Sequence, residues 1–89
     1  MRHAFYTIEW DRQASKAYAA IRDKKLKEHI LDALENYIAK DPLIGKPLVG
    51  VFKGVRSYRI GVIRILYKPY KDRLVVVVLD IAHRKEVYQ

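Results

Sequence analysis

The sequence predicts an α+β domain of order β-α-α-β-β-β, with a helical hairpin packed on a mostly antiparallel sheet. Three observations carry this expectation. Apolar residues recur at helical spacing only between Ala14 and Ile38. Three strand-like runs follow a Pro/Gly-containing connector, the last being Leu74-Val75-Val76-Val77-Val78-Leu79-Asp80-Ile81-Ala82. Helices grouped apart from strands make an α+β layout, whereas alternating units would make a parallel sheet. The 89 residues, 1–89, form one domain, and a chain of this size buries only about 60–65% of its unfolded surface.

Ala4-Phe5-Tyr6-Thr7-Ile8-Glu9-Trp10 is aromatic, β-branched and roughly alternating, which predicts a first strand. Asp11 is placed as the N-cap of a first helix carrying Ala14, Ala17, Tyr18 and Ile21 to about Lys24. A second helix is expected from about Leu26 to Lys40, with Ile30, Leu34, Tyr37 and Ile38 on its buried face. Its other face places Glu28 and Asp32 as like charges at i, i+4, so packing must hold this helix. Asp41-Pro42 ends it. Residues 42–50 read as a connector, and strands follow at about Val55–Ile60, Val62–Pro69 and Leu74–Ala82. Tyr70-Lys71-Asp72-Arg73 forms the last hairpin turn, and the final strand, apolar on both faces, is expected at the centre of the sheet, covered on each side.

Several functions are excluded or disfavoured by composition. Without cysteine there is no disulfide, thiolate nucleophile or cysteine-based zinc site. His3, His29 and His83 are too dispersed to suggest a metal site, and no glycine loop matches a nucleotide fingerprint, so no cofactor is expected. Ser15 and Ser57 lie in no nucleophile elbow. The N-terminus lacks a signal peptide's apolar stretch, and no run approaches the ~20 residues of a membrane helix. A cytoplasmic protein with no membrane partner is expected.

The net charge is +8, and its distribution is uneven. Residues 53–89 hold nine Lys/Arg against three acids, a net of +6, on the half that reads as sheet. Such a field favours polyanions. Arg59 and Arg64 flank Gly61, a position for a bend or bulge. Arg64 sits among apolar strand residues on the face of Val62, Leu66 and Lys68, which is costly unless it is paired, for instance with Asp80, or points into a groove. The last strand runs into His83-Arg84-Lys85-Glu86-Val87-Tyr88, which brings donors for phosphate and a ring for a base to one end of a strand, although a solvated tail has the same composition. Basic groups with Tyr suit stabilisation of a pentavalent phosphate.

These segments resemble the RelE/ParE toxins of bacterial and archaeal toxin–antitoxin modules. The resemblance rests on the helix pair, Leu48-Val49-Gly50, Gly54-Val55-Arg56-Ser57-Tyr58-Arg59-Ile60-Gly61, Arg64-Ile65-Leu66-Tyr67 and Ile81-Ala82-His83-Arg84-Lys85-Glu86-Val87-Tyr88, all in family order. It implies a microbial-RNase-like fold and a metal-independent, ribosome-dependent endoribonuclease. Such an enzyme cleaves mRNA in the ribosomal A site by 2′-hydroxyl attack and so inhibits translation. Arg64, Arg84 and Tyr88 match the family's catalytic positions, and Lys53, Arg56, Arg59, His83 and Lys85 are the implied RNA-binding residues. The acidic-aromatic pair that precedes the strand Arg in relatives is Val62-Ile63 here. A RelB-like antitoxin in a hetero-oligomer, the ribosome and mRNA are the implied partners. Two further functions share the fold: a ParE-like inhibitor of DNA gyrase, and a non-catalytic nucleic-acid-binding module.

Overall fold

The computed structural model describes residues 5–83, a five-stranded sheet carrying two helices. The strands are β1 (Thr7–Trp10), β2 (Lys46–Pro47), β3 (Arg56–Ile60), β4 (Ile63–Tyr70) and β5 (Val75–His83). The helices are α1 (Arg12–Ala20) and α2 (Lys24–Ala33), the latter continuing into a π-helical turn at Leu34–Ile38. Strand order is β1-β5-β4-β3-β2; β1 is parallel to β5 and every other pair is antiparallel. The α+β layout holds, and the two-residue β2 lies inside the expected connector. Pro47 is tolerated because β2 is the sheet's edge.

One core fills the space between helices and sheet: Ala14, Ile30, Ala33, Leu34 and Ile38 against Ile65, Tyr67, Val76, Val78 and Ile81. The final strand is an inner strand as expected, but its Val75, Val77 and Ala82 stay only partly buried, so the core covers it fully on one face. Its core residues are spaced 76, 78 and then 81, a step that strict alternation forbids. A β-bulge resolves it: the register slips so that Tyr67 faces Val78 and Leu66 faces Asp80, leaving Leu79 as the extra residue.

The helices depart from expectation at their ends. The first stops at Ala20, because Ile21 turns extended, and Asp23 then starts α2 earlier than the apolar pattern suggests. Asp23 accepts from the N–H groups of Lys25 and Leu26 at 3.0 and 3.2 Å, a side-chain cap. Asp11 occupies the N-cap of α1 but its side chain makes no capping bond. In the π turn, Ala39 N–H donates to Leu34 O at 2.8 Å. The wider turn keeps Leu34, Ile38 and Ala39 buried together and leaves Tyr37, expected on the buried face, 48% exposed. Trp10 meets Tyr18 edge-on at 5.2 Å, joining β1 to α1.

The connector is pinned from inside. The hydroxyl of buried Tyr67 accepts from Gly45 N–H at 2.9 Å and donates to Pro42 O at 2.7 Å. Burial pushes this phenol above its usual pKa, offset in part by the Gly45 bond and the nearby Arg56 charge. Gly61 does not bend a strand; with Val62 it forms the two-residue β3–β4 turn, at φ +59°, the geometry of a type II′ hairpin. No helix among the described residues is long and apolar enough to cross a membrane.

Candidate nucleic-acid interface

The sheet face away from the helices follows from cross-strand register, because paired residues share a face. Ile60, Ile63, Ile65 and Tyr58 pack toward the core, so the alternate residues face outward. Arg64 stands between Arg59 on β3 and Ala82 on β5. The adjoining outward row is Lys46, Ser57, Leu66 and Asp80, and the next places Lys68 beside Val77 and Glu9. Lys46, Arg59, Arg64 and Lys68 thus make a basic stretch across the sheet.

Arg59 and Arg64 sit in different surroundings. Arg59 is exposed, and its Nε donates to Gly61 O at 3.2 Å across the hairpin turn. Arg64 is partly buried and its Nε is shielded from solvent. The Asp80 carboxylate accepts from Gln13 Nε2 at 3.2 Å and from the N–H of Ile81 at 2.8 Å. Ser57 is buried in the adjoining row, and its Oγ has no hydrogen-bond partner among the described residues.

Beside Arg64 the face opens into a groove of about 430 Å³ lined by Lys46, Pro47, Leu48, Val49, Phe52 and Arg64. Its wall is the loop from Leu48 through a 3₁₀ turn at Gly50–Phe52, where Val49 is 84% and Val51 94% exposed. Lys46 falls in the expected 42–50 connector and Phe52 between it and the next expected strand, so neither was among the expected site residues. The available signal was Leu48-Val49-Gly50-Val51-Phe52 itself, an apolar run punctuated by glycine that fits neither helix nor strand period.

The remaining sequence-predicted residues are scattered. Arg56 pairs with Tyr67 on the core side, where its Nη1 donates to Gly45 O at 2.7 Å and Leu43 O at 3.0 Å. It braces the connector and is separated from Arg59 and Arg64 by the thickness of the sheet. His83 pairs with Ile63, again on the core side. Without the bulge at Leu79 it would share a face with Arg64. Lys53 is exposed just after the 3₁₀ turn, and its N–H bonds Gly50 O at 3.0 Å. Arg84, Lys85 and Tyr88 lie outside the described residues.

A helical hairpin on a mixed sheet with a basic outer face defines a small α+β protein. Comparison with known proteins gives the family. A family model described as the ParE toxin of the parDE type II toxin–antitoxin system matches residues 8–88. The toxin RelG of Mycobacterium tuberculosis is 34% identical over 70 residues, covering 73% of this chain and 80% of RelG. The chain therefore belongs to the RelE/ParE superfamily of type II toxin–antitoxin toxins. Solved structures share the fold. The M. tuberculosis RelBE2 toxin–antitoxin complex contains a chain with TM-score 0.84 at 24% identity, covering 96% of this chain and 98% of that one. Isolated Escherichia coli RelE gives 0.74 at 20% identity, covering 93% and 90%. The YoeB/ParE toxin of Agrobacterium tumefaciens gives 0.76 at 21% identity, covering 86% and 96%.

Proposed function

We propose that this toxin is a ribosome-dependent endoribonuclease that cleaves mRNA in the A site. The observation that carries the reading is the side-by-side placement of Arg59 and Arg64 on the outward sheet face. Two like charges directly opposite each other disfavour the hairpin, and an RNA phosphate between them relieves that repulsion.

In the proposed reaction the ribose 2′-oxygen bonds to the adjacent phosphorus while the bond to the 5′-oxygen breaks. The products are a 2′,3′-cyclic phosphate and a 5′-hydroxyl, and the 2′-hydroxyl proton passes, in net, to the leaving oxygen. Arg64 grips the scissile phosphate. Arg84, following His83 at the end of β5, stabilises the charge on phosphoryl or leaving oxygens. Tyr88 stacks on a base or hydrogen-bonds the 2′-hydroxyl. Arg59, Lys53 and Lys85 supply the surrounding field, whereas Arg56 is committed to Gly45 and Leu43. Arginine does not deprotonate in proteins, so the guanidinium groups act by fixed charge. The nucleophile belongs to the substrate and the cations are built in, which makes the reaction metal-independent. The ribosome bends the message toward in-line geometry, a positioning effect, so free RNA is a poor substrate.

Ribosomes and mRNA place the protein in the cytoplasm. Its basic face calls for an acidic cover, and solved neighbours in complex with RelB support a RelB-like antitoxin in a hetero-oligomer. The test is primer extension on a message translated in a purified system, with wild type, Arg64→Ala and Arg84→Ala. Cuts within A-site codons that need ribosomes and vanish in both variants are expected; absence of cuts with wild type overturns the reading.

The match to the ParE family model favours a second reading, inhibition of DNA gyrase without cleavage. A supercoiling assay separates the two: inhibition by wild type and by Arg84→Ala alike supports the gyrase reading.

A further inference from the structure

We infer that the groove beside Arg64 is a nucleobase subsite, with Phe52 as the stacking platform for a base next to the phosphate held by Arg64. The inference rests on the nuclease reading for the identity of the RNA, but not for the chemistry of the groove.

Three features point to this occupant. The first is composition: four of the six lining residues, Pro47, Leu48, Val49 and Phe52, are uncharged, and the other two, Lys46 and Arg64, are cations. A base with its phosphates has that same character, a flat apolar face bordered by negative charge. Acids are absent from the lining, and the next outward residue on β3 is Arg59, a third cation. The second is size. About 430 Å³ lies toward the lower end of the roughly 300–1,000 Å³ of small-ligand sites. The third is the state of Phe52. It is 45% exposed and takes no part in the core cluster, so its ring is available to a partner, and the 3₁₀ turn with Gly50 at φ +69° fixes the loop that presents it. Lys53, next to Phe52 in sequence, adds an exposed cation to the same loop.

Stacking on an aromatic side chain contributes to single-strand binding without demanding a particular base. The groove therefore positions the message beside Arg64 rather than selecting a codon. Phe52 is a positioning residue; it touches no reacting atom.

The experiment compares binding of a short single-stranded RNA with that of the same RNA carrying abasic ribose, by anisotropy at low salt, using the whole chain. Phosphate contacts are equal in the two probes, so their ratio reports stacking. Wild type is expected to prefer the intact RNA about five- to hundredfold. Phe52→Leu, which keeps apolar volume but not a π face, lowers the preference severalfold, while Phe52→Tyr keeps it. Thermal melts of both variants close to wild type show that the fold is intact. Equal binding of the two RNAs by wild type, or an undiminished preference in Phe52→Leu, overturns the inference. An oligoglutamate peptide that competes for the groove, with no abasic discrimination, overturns it in favour of an acidic peptide. A preference for intact RNA in a protein that makes no A-site cuts leaves the subsite standing and removes the nuclease reading alone.

Discussion

Arg59 and Arg64 are direct cross-strand partners on the β3–β4 hairpin, on the face that the helices do not cover. Cross-strand neighbours have Cβ atoms about 4.5–5.5 Å apart, and like charges in that position destabilise a sheet. The type II′ turn at Gly61-Val62 fixes the register that forces them together. The register of the hairpin thus fixes the two neighbouring positions from which these cations project.

Stability and binding should separate at Arg59. Arg59→Ala removes the repulsion and one hydrogen bond to Gly61 O in an exposed position. The repulsion is worth roughly 0.2–1 kcal/mol and an exposed bond less, so the melting temperature should hold or rise by a few degrees. Affinity for single-stranded RNA should fall, and the slope of log K against log salt should shallow by about 0.7. Parallel melting and salt titration check this; a loss of several degrees would show that Arg59 is structural.

Arg64→Lys should not rescue Arg64→Ala. A guanidinium meets phosphate through a planar fork of donors, and an ammonium acts as a point charge. Removing a charge aimed at a developing oxyanion typically costs about 10²–10³ in rate. Both variants should lose at least tenfold in A-site cleavage in the purified translation system. Full activity in the lysine variant would reduce Arg64 to a contributor of bulk charge.

The pattern of apolar residues made the α+β layout, both helices and the three long strands readable, because burial of one face imposes a period of two or 3.6. Two features escaped for the same reason: they break the period. The bulge at Leu79 shifts the parity of β5, so His83 lands on the side of Ile63. The π turn at Leu34–Ile38 shifts the parity of the second helix, so Tyr37 faces out. At the site, Arg59 and Arg64 were legible from their positions around Gly61. The role of Arg56 was not, since its Leu43 and Gly45 acceptors are backbone atoms 13 and 11 residues away in sequence. Lys46 escaped because a two-residue edge strand leaves no alternation to read, and Phe52 because the 3₁₀ turn Gly50–Phe52 follows neither the helix nor the strand period.

The two aspartates that start the helices should behave differently when replaced. Asp23 satisfies two N–H groups of the first turn of α2, and losing such a cap costs about 0.5–2 kcal/mol. Asp11 makes no capping bond from its side chain, so Asp11→Ala should stay within about 0.5 kcal/mol of wild type. Urea denaturation of the two single variants checks the contrast. Equal losses would mean that Asp11 caps α1 in solution.

Tyr67 and Gly45 form a buried contact whose contribution to stability depends on pH. Tyr67→Phe leaves the Gly45 N–H and Pro42 carbonyl without their partner, at a cost of about 1–3 kcal/mol. Gly45→Ala attacks the same contact from the other side: a Cβ there would lie 2.5 Å from the Tyr67 hydroxyl and 3.0 Å from Ser57 O. Backbone on one side and a hydroxyl held by two bonds on the other leave little room to yield, so a loss of about 1–3 kcal/mol is expected. The sign of the pH effect follows from the raised phenol pKa in the folded chain. Below the unfolded value of about 10 both states are neutral and the contribution of Tyr67 is complete. Above it the unfolded chain ionises first, so stability is lost as pH rises through the folded value. The difference in unfolding free energy between wild type and Tyr67→Phe should therefore be constant from neutral pH to about 9 and shrink beyond about 10. A difference that grows above pH 10 would mean the folded state prefers the phenolate, contrary to a hydroxyl that donates to Pro42.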